Sequence, residues 1–310
     1  MLDAASKTFF TLLARSRTAK TLASRCGMRK ATSLARRFVA GESIAEAIEA
    51  ARALEARGMT HTLDHLGESV ANLAEAGGAT RAYLETIDAV IESSIGRNLS
   101  LKLTQLGLDV DKASAVDNLR RILEHAPGFF VRIDMESSRY TDVTLEIFET
   151  LWHQGCRQVG VVLQAALHRS ERDLQRLTAL GARVRLVKGA YKESRSVAYQ
   201  KKADVDGAYA RMMQVLLTDG NYPAIATHDP AMIDRARRFA AERGILPDRF
   251  EFQMLYGIRR DLQTSLVGEG YAVRIYVPFG REWFPYVMRR LGERPANLAF
   301  VLRSLLRETG

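Results

Sequence analysis

Four charged residues occur inside or directly after short apolar runs of the chain. Lys102 and Arg185 lie within such runs, while Asp134 and Lys188 each follow one directly. A charge in a buried strand is costly unless a partner neutralises it. Taken singly, each residue is as well explained as part of a solvated rim. Taken together, the four predict a functional site that combines cations with a carboxylate.

Two adjacent arginines near the end of the chain extend this pattern. Arg289 and Arg290 follow an amphipathic run at 283–288. Adjacent arginines on a helix are usually surface charge, but guanidinium groups are well suited to bidentate capture of a carboxylate. Together with Lys102 they predict a binding site for a small acid.

The segment Lys188-Gly189-Ala190 places a cation beside two small residues. Small residues let the backbone approach a phosphate or a ring edge, although this signal is weak by itself. Arg185 and Lys188 are three positions apart, so a regular strand would point them to opposite faces. Either the strand ends between them or a turn redirects the lysine.

The sequence carries no signature of a metal site or of a common dinucleotide site. His61 and His65 are four apart, but the histidines form no H-x-H or H-E-x-x-H pattern. Cys26 and Cys156 have no partner at ligand spacing, so we predict no zinc site and no disulfide framework. No G-x-G-x-x-G follows a strand and there is no P-loop. A dinucleotide would therefore have to bind in another mode.

Beyond residue 57, eight short apolar runs alternate with longer segments of helical periodicity. This pattern is typical of a parallel sheet with crossover helices, and eight strands are the number that closes a barrel. We therefore predict an α/β fold, a (β/α)8 barrel of the TIM type, with its site at the C-terminal ends of the strands. The predicted strands are Met59–Leu63, Leu99–Leu103, Phe129–Ile133, Val159–Leu163, Val184–Val187, Tyr222–Ala226, Phe250–Leu255 and Val273–Val277.

Residues 1–57 are predicted to form a basic helical extension packed on the barrel, and residues 58–310 the barrel itself. Ser43 and Glu46 have the spacing of a capping box at the start of a helix that Gly58 ends. Residues 1–39 hold nine Lys and Arg against one acid, a net charge of +8, whereas the other 271 residues sum to +1. A nearly neutral barrel argues against a nucleic-acid groove along it.

The location of the protein is inferred from its apolar runs and its start. No run approaches the roughly 20 residues that span a bilayer, and no leader with a cleavage site is evident, so we expect a cytoplasmic protein. The basic extension has two interpretations. We favour helices packed on the barrel with their basic residues outward; the alternative is peripheral contact with the anionic inner face of the cell membrane.

Seven stretches, one at almost every predicted strand end, resemble bacterial monofunctional proline dehydrogenases. They occur in the order of that family and spread over nearly the whole chain, so the set is specific although each stretch alone is unremarkable. The basic N-terminal helices also resemble those that precede the barrel in that family. The stretches are Leu99–Gly107, Val131–Glu136, Arg185–Tyr191, Ala226–Asp229, Phe250–Gly257, Arg274–Gly280 and Tyr286–Leu291.

This resemblance implies a distorted (β/α)8 barrel that holds FAD non-covalently. It also implies oxidation of L-proline to pyrroline-5-carboxylate, with a quinone as the electron acceptor. Arg185 would lie near flavin N5, where a cation stabilises the negative charge of the reduced flavin. By matching motif positions, the residues implied to contact FAD are Met135, Gln164, Arg185, Lys188, Gly189, Ala190, Thr227 and His228.

The resemblance also implies how proline is bound. Asp134 resembles the family's active-site carboxylate, and we expect it to orient Lys102 or the substrate rather than to act as the main base. Glu68 would pair with Arg289 and gate the site. The residues implied to bind the carboxylate are Lys102, Arg289 and Arg290. The residues implied to wall the proline ring are Leu255, Tyr276 and Tyr191.

One loop departs from the family pattern. After Gln164 the family usually continues with Ser and aromatic residues, roughly SYLYR, whereas residues 165–169 of this chain read AALHR. The loop has lost a hydroxyl and two tyrosines. Flavin contacts through Gln164 should survive, while the neighbouring packing or the affinity is expected to differ. Phe279 in place of a common tyrosine is a milder change.

Two other classes of function compete with this interpretation. A lyase would use Lys188 or Lys102 as a Schiff-base amine, and a strand-end lysine is what such barrel enzymes need. A non-enzymatic scaffold would bind membranes or nucleic acid through residues 1–39. Neither alternative explains why seven strand-end stretches match one family in order.

Overall fold

Eight parallel strands close into a barrel, as the alternation of apolar runs and helical segments predicts. The structure is a computed structural model that describes residue 28 and residues 34–67 and 70–292. The strands follow one another in sequence order, and β1 closes the barrel by pairing with β8. The strands are β1 Thr60–His65, β2 Asn98–Leu101, β3 Phe130–Ile133, β4 Val159–Gln164, β5 Val184–Val187, β6 Ala224–Ala226, β7 Glu251–Leu255 and β8 Ala272–Phe279.

Helices cover the outside of the barrel. Outward-facing strand residues such as Val131 and Ile133 have no exposed surface, because the apolar faces of the helices pack on them. Within the described ranges, no helix is long and apolar enough to cross a membrane. The helices are α1 Ile44–Glu55, α2 Leu73–Ser93, α3 Lys112–His125, α4 Thr141–His153, α5 Ser170–Ala179, α6 Lys202–Asp219, α7 Pro230–Glu242, α8 Arg260–Gly268 and α9 Trp283–Gly292. Short 3-10 turns occur at Leu34–Arg37, Ser138–Tyr140 and Pro247–Arg249.

All eight predicted strands are confirmed, although the ends of several are shifted. β2 ends at Leu101, so that Lys102 directly follows the strand instead of lying inside it. β6 begins two residues later than predicted, at Ala224. The reason is local: Tyr222 has a φ of 46°, outside the strand region, and Pro223 has no amide hydrogen to contribute to the ladder.

The interior of the barrel is polar, whereas barrels of this fold are usually filled by branched apolar side chains. Arg185 of β5 donates to Ser100 of β2 at 3.0 Å, and two strands so far apart in the sheet can meet only through the interior. Because successive residues of a strand alternate between faces, the residues two positions from Arg185 and from Ser100 on their own strands also point inward. The inward-facing polar residues include Thr62, Ser100, Arg132, Arg185, Glu251, Gln253, Arg274 and Tyr276.

The segment before β1 packs on the barrel. The predicted capping box is confirmed, because Ser43 and Glu46 exchange side-chain and backbone hydrogen bonds at the start of α1. Glu46 also pairs with Arg36 at 2.6 Å, so this half-buried arginine is held against the start of α1. Residues 1–27 and 29–33, and with them most of the basic segment, lie outside the described residues. The division into an extension at 1–57 and a barrel at 58–310 therefore stays a prediction.

The same segment holds the last helix in place. Trp283 at the start of α9 donates its Nε1 hydrogen to Glu42 at 2.9 Å. Phe38 and Val39 pack in one apolar cluster with Trp283 and with Leu66, which directly follows β1. α9 is therefore fixed at the end of the barrel where β1 and β8 finish.

Candidate active site

Two carboxylates and a tyrosine surround the Lys102 ammonium at the C-terminal end of the barrel. Lys102 Nζ donates to Asp64 Oδ1 at 3.1 Å and to Tyr276 Oη at 3.4 Å. Its distance to Asp134 Oδ2 is 3.6 Å, and Tyr276 donates its hydroxyl hydrogen to the same oxygen at 2.7 Å. Asp64 and Tyr276 belong to β1 and β8, and Lys102 and Asp134 directly follow β2 and β3. The C-terminal ends of these four strands lie at the same end of the barrel.

Arg185 connects this cluster to the barrel interior. Its Nη1 donates to Asp134 Oδ1 at 2.7 Å, and its Nε donates to Gln253 Oε1 at 2.5 Å. The guanidinium carbon lies 5.3 Å from the centre of the Tyr276 ring. With 5% of its surface exposed, Arg185 is a buried cation whose charge is balanced by Asp134.

Burial and neighbouring charges shift the titration of this cluster. Burial raises the pKa of Asp64 to about 6, the Lys102 charge opposes this rise, and the Asp134 charge adds to it. Burial and the charges of Asp134 and Asp64 raise the pKa of Tyr276 well above its usual value, so its phenol stays neutral and can donate. Asp64 is thus able to change protonation near neutral pH.

Lys188 lies outside the barrel interior. β5 ends at Val187, and Lys188 directly follows it, which is the first of the two predicted possibilities. Its Nζ donates to Asp206 of α6 at 2.5 Å and to Asp229, after β6, at 2.7 Å. Arg185 and Lys188 therefore have different partners, because the strand ends between them.

The residues after Lys188 form an open cradle. Gly189 and Ala190 are exposed, and Gly189 has a φ of 115°, a conformation that favours glycine. A Cβ at Gly189 would lie 3.1 Å from Ala166 Cβ and 3.4 Å from Gln164 Oε1. A side chain at this position would therefore crowd the end of β4 and the loop after it, and glycine lets the two segments approach closely. Small, exposed residues directly after a half-buried cation suit a planar ring or a phosphate.

The other residues implied to contact FAD also lie at strand ends. Met135 is buried after β3, and Gln164 donates its amide hydrogen to the Glu136 carbonyl at 2.8 Å. Thr227 and His228 follow β6 directly. His228 Nε2 accepts a hydrogen bond from the Leu255 amide at 2.8 Å, which leaves Nδ1 as the nitrogen that carries the hydrogen in the neutral ring.

The loop that departs from the family pattern is packed against the segment after β5. Ala166 accepts a hydrogen bond from the Tyr199 amide at 2.9 Å and donates its own amide hydrogen to the Lys188 carbonyl at 2.8 Å. His168 meets the Tyr199 ring edge-on, with ring centres 4.5 Å apart. In this chain an aromatic ring from residue 199 therefore packs on the loop in which the family usually has tyrosines.

The two predicted carboxylate-binding arginines lie in the last turns of α9. Arg289 and Arg290 are half-buried, and the Arg290 guanidinium lies 5.3 Å from the centre of the Tyr286 ring. Because α9 packs on Leu66, these arginines are held at the same end of the barrel as Lys102. Contact between these arginines and a substrate carboxylate stays a prediction.

The remaining predicted residues have different outcomes. Leu255 is half-buried at the end of β7, whereas Tyr191 is 41% exposed in the segment after β5. Glu68, the predicted gate, lies outside the described residues. Lys102 donates a hydrogen bond to Asp64 at 3.1 Å and lies 3.6 Å from Asp134, which accepts from Arg185 and Tyr276.

Sequence reasoning missed three residues of the site. Asp64 directly follows the predicted strand Met59–Leu63, Gln253 lies within Phe250–Leu255 and Ser100 within Leu99–Leu103, and none of the three was predicted as a site residue. A usable signal existed for Asp64 and Gln253, since a polar residue at an inward position of a buried strand needs a partner. Ser100 gave no such signal, because a small hydroxyl group can be buried in a barrel interior without a charged partner.

The fold and the site together define a class of protein. Eight parallel strands closed into a barrel and a buried Lys–Asp–Tyr–Arg cluster at the C-terminal ends of those strands are features of a (β/α)8-barrel enzyme. The catalytic groups of such enzymes lie at this end of the barrel. Comparison with known proteins then identifies the family.

The family model described as proline dehydrogenase matches residues 47–303. The chain is 41% identical over 305 residues to "Proline dehydrogenase 2" of Bacillus subtilis (strain 168), covering 98% of this chain and 99% of the relative. It is 45% identical over 284 residues to "Proline dehydrogenase" of Deinococcus radiodurans, covering 90% of this chain and 92% of the relative. The chain belongs to the proline dehydrogenase family, a family of oxidoreductases.

A solved structure supports the same assignment. Proline utilization A (PutA) from Bdellovibrio bacteriovorus, inactivated by N-propargylglycine, aligns with a TM-score of 0.78 at 28% identity. The alignment covers 83% of this chain and 32% of that chain. The chain thus corresponds to about a third of PutA, and this third contains the barrel.

Proposed function

We propose that this chain is an FAD-dependent proline dehydrogenase that oxidises L-proline to pyrroline-5-carboxylate and passes the electrons to a quinone. The observation that carries this proposal is the buried cluster of Lys102, Asp64, Asp134, Tyr276 and Arg185 in a chain of this family. The cluster places a cation that can bind a carboxylate, a neutral hydroxyl group and a second cation in one buried site.

The cradle beside the cluster fits FAD. Gly189 and Ala190 leave their backbone open to a ring or a phosphate, and the Lys188 cation directly precedes them. Bound FAD would supply the acceptor for the hydride that leaves proline, while the amine proton is released. The residues proposed to hold it are Met135, Gln164, Arg185, Lys188, Gly189, Ala190, Thr227 and His228.

The residues of the cluster would bind and orient proline. Lys102, with Arg289 and Arg290, would hold the carboxylate by charge-assisted hydrogen bonds. Leu255 and Tyr276, with Tyr191, would enclose the ring and exclude water.

Asp134 would act through its neighbours rather than as the main base. It holds the Arg185 guanidinium at 2.7 Å and accepts from Tyr276 at 2.7 Å, so it orients both a cation and a ring wall. Arg185 would stabilise the negative charge that develops on the reduced cofactor. Glu68 pairing with Arg289 as a gate also belongs to the proposal.

The electron acceptor and the location complete the proposal. A quinone is available at a membrane, and the net charge of +8 on residues 1–39 suits peripheral contact of a cytoplasmic enzyme with an anionic inner surface. Co-sedimentation of the full chain with anionic and with neutral vesicles tests this contact. We expect binding to the anionic vesicles alone, and we expect high salt to abolish it. Absence of binding to either kind of vesicle would refute the membrane contact.

The competing Schiff-base function has less support. Lys188 is engaged by Asp206 and Asp229, and Lys102 by Asp64, so each amine would first have to leave an ion pair. A Schiff-base amine needs the opposite, a neutral lysine in an apolar or cationic environment.

A visible absorption spectrum before and after anaerobic addition of L-proline tests the proposed function. A yellow protein whose oxidised-flavin band bleaches with proline is the expected result. A yellow protein whose spectrum does not change with proline would support the flavin cofactor but contradict proline as the substrate. A colourless protein that stays inactive with added FAD would refute the proposal and favour the Schiff-base lyase. Borohydride trapping with a carbonyl substrate would then test the lyase function.

A further inference from the structure

Gln253 links the Arg185 guanidinium to a carboxylate deep in the barrel. Gln253 Oε1 accepts from Arg185 Nε at 2.5 Å, and Gln253 Nε2 donates to Glu251 Oε1 at 2.5 Å. Glu251 and Gln253 are two apart on β7 and therefore face the same side of the strand. All three side chains are buried, with 5% or less of their surface exposed.

The surroundings of Gln253 allow its amide only one orientation. Burial alone would raise the pKa of Glu251, but the charge of Arg274 and hydrogen bonds from Arg274 and Gln253 hold it below its usual value. Glu251 is therefore ionised and can only accept, so the NH2 group of Gln253 must face it. The reversed amide would place a carbonyl against a carboxylate and an NH2 group against the guanidinium. Both contacts would be repulsive.

The bond to Gln253 also completes the immobilisation of Arg185. Asp134 accepts from Nη1 and Ser100 from Nη2, while Gln253 accepts from Nε on the remaining edge. With acceptors at all three nitrogens, the planar guanidinium can neither rotate about its axis nor slide along the barrel. We propose that Gln253 is a positioning residue that fixes the guanidinium of Arg185 for the redox reaction. This inference rests on the proposed function, in which Arg185 lies beside the flavin.

The flavin midpoint potential of the holoenzyme tests the inference. Arg185→Met is expected to make the potential more negative, because it removes the cation that stabilises the reduced flavin. Gln253→Met should shift the potential in the same direction by a smaller amount. The double variant should match Arg185→Met, because Gln253 acts only through Arg185. In Gln253→Met kcat should fall, with the KM for proline within about twofold of wild type, since the carboxylate contacts are untouched.

Gln263→Met is the matched control. Gln263 is a buried glutamine of α8 that donates to the carbonyls of Leu255 and Ile258 and does not contact Arg185. Its loss should lower the melting temperature and leave the potential unchanged. Gln253→Asn keeps an amide group, but its side chain is too short to reach both Arg185 and Glu251. If Gln253→Met does not retain flavin, the midpoint potential of Gln253→Asn tests the positioning role instead.

The outcomes separate the two proposals. An unchanged potential in Arg185→Met would show that Arg185 is not beside the flavin, which refutes that part of the proposed function and the inference with it. A shift in Arg185→Met with none in Gln253→Met or Gln253→Asn would overturn the positioning role alone. Equal shifts in Gln253→Met and Gln263→Met would mean that the effect is only structural.

Discussion

Arg185 and Asp134 form an ion pair across the mouth of the barrel, with 2.7 Å between Arg185 Nη1 and Asp134 Oδ1. They belong to β5 and to the end of β3, which are separated by β4. The pair is therefore held by the curvature of the barrel and not by a strand ladder. Breaking a buried pair leaves the surviving charge uncompensated, at a typical cost of about 3–5 kcal/mol.

The first prediction concerns Asp134. Asp134→Asn removes the charge that balances Arg185 and weakens the acceptor of Tyr276, so kcat/KM for proline should fall by about 30-fold or more. Steady-state kinetics of flavin-loaded protein provide the measurement. Asp109→Asn is a matched control, because Asp109 also accepts from an arginine and a tyrosine, Arg139 and Tyr140, but lies on the surface. Similar losses in both variants would contradict a specific role for Asp134.

The second prediction concerns the arginines of α9. Arg289→Ala or Arg290→Ala should raise the KM for proline by roughly 30-fold or more, because a charge-assisted contact to the carboxylate is worth about 2–5 kcal/mol. Flavin should stay bound, which the absorption spectrum checks. Arg281→Ala removes an exposed arginine two residues before the same helix and should leave KM unchanged. An unchanged KM in both Arg289 and Arg290 variants would remove the carboxylate assignment.

The third prediction tests the cradle. Gly189→Ala adds a Cβ 3.1 Å from Ala166 Cβ in a segment proposed to hold FAD, so the Kd for FAD should rise and flavin occupancy after purification should fall. Gly181→Ala is the control, because Gly181 also has a positive φ, 70°, but a Cβ there meets no atom within 4 Å. Both variants carry backbone strain of about 1–3 kcal/mol, and only the Cβ added at Gly189 contacts neighbouring side chains. Equal flavin loss in both would count against the cradle.

The fourth prediction concerns pH. The pKa of Asp64 is raised from 3.8 to about 6, so the folded protein holds this proton more tightly than the unfolded chain does. The resulting stabilisation is full below pH about 4 and is lost as pH rises through 6. The unfolding free energy of wild type relative to Asp64→Asn should therefore fall by roughly 2–3 kcal/mol between pH 4 and pH 7. Urea unfolding at several pH values measures it, and a constant difference would contradict a raised pKa.

The strands and the strand-end residues could be predicted because their signals are local. An apolar run of five residues followed by a helical segment identifies a strand wherever it occurs, and all eight runs became strands. Lys102, Asp134, Arg185 and Lys188 stood out for the same reason, since a charge beside an apolar run is visible without knowing its partner.

The partners of Lys102 and Arg185 could not be predicted, because they are supplied by strands and strand ends that are remote in sequence. Asp64 holds Lys102 from 38 residues away, and Gln253 holds Arg185 from 68 residues away. The register of the closed barrel determines which inward residues share a level, and one residue of slippage would exchange every inward for an outward side chain.

The sequence by itself thus determined the number and order of the strands, the charges at their ends and, through seven matching stretches, the family. Only the tertiary structure decided how those charges are neutralised: Lys102 by Asp64, Arg185 by Asp134 with Gln253, and Lys188 by two aspartates outside the barrel. The reason is physical. Alternation and burial are properties of neighbouring residues, whereas the partner of a buried charge depends on the closure of the barrel, which brings distant strands within hydrogen-bonding distance.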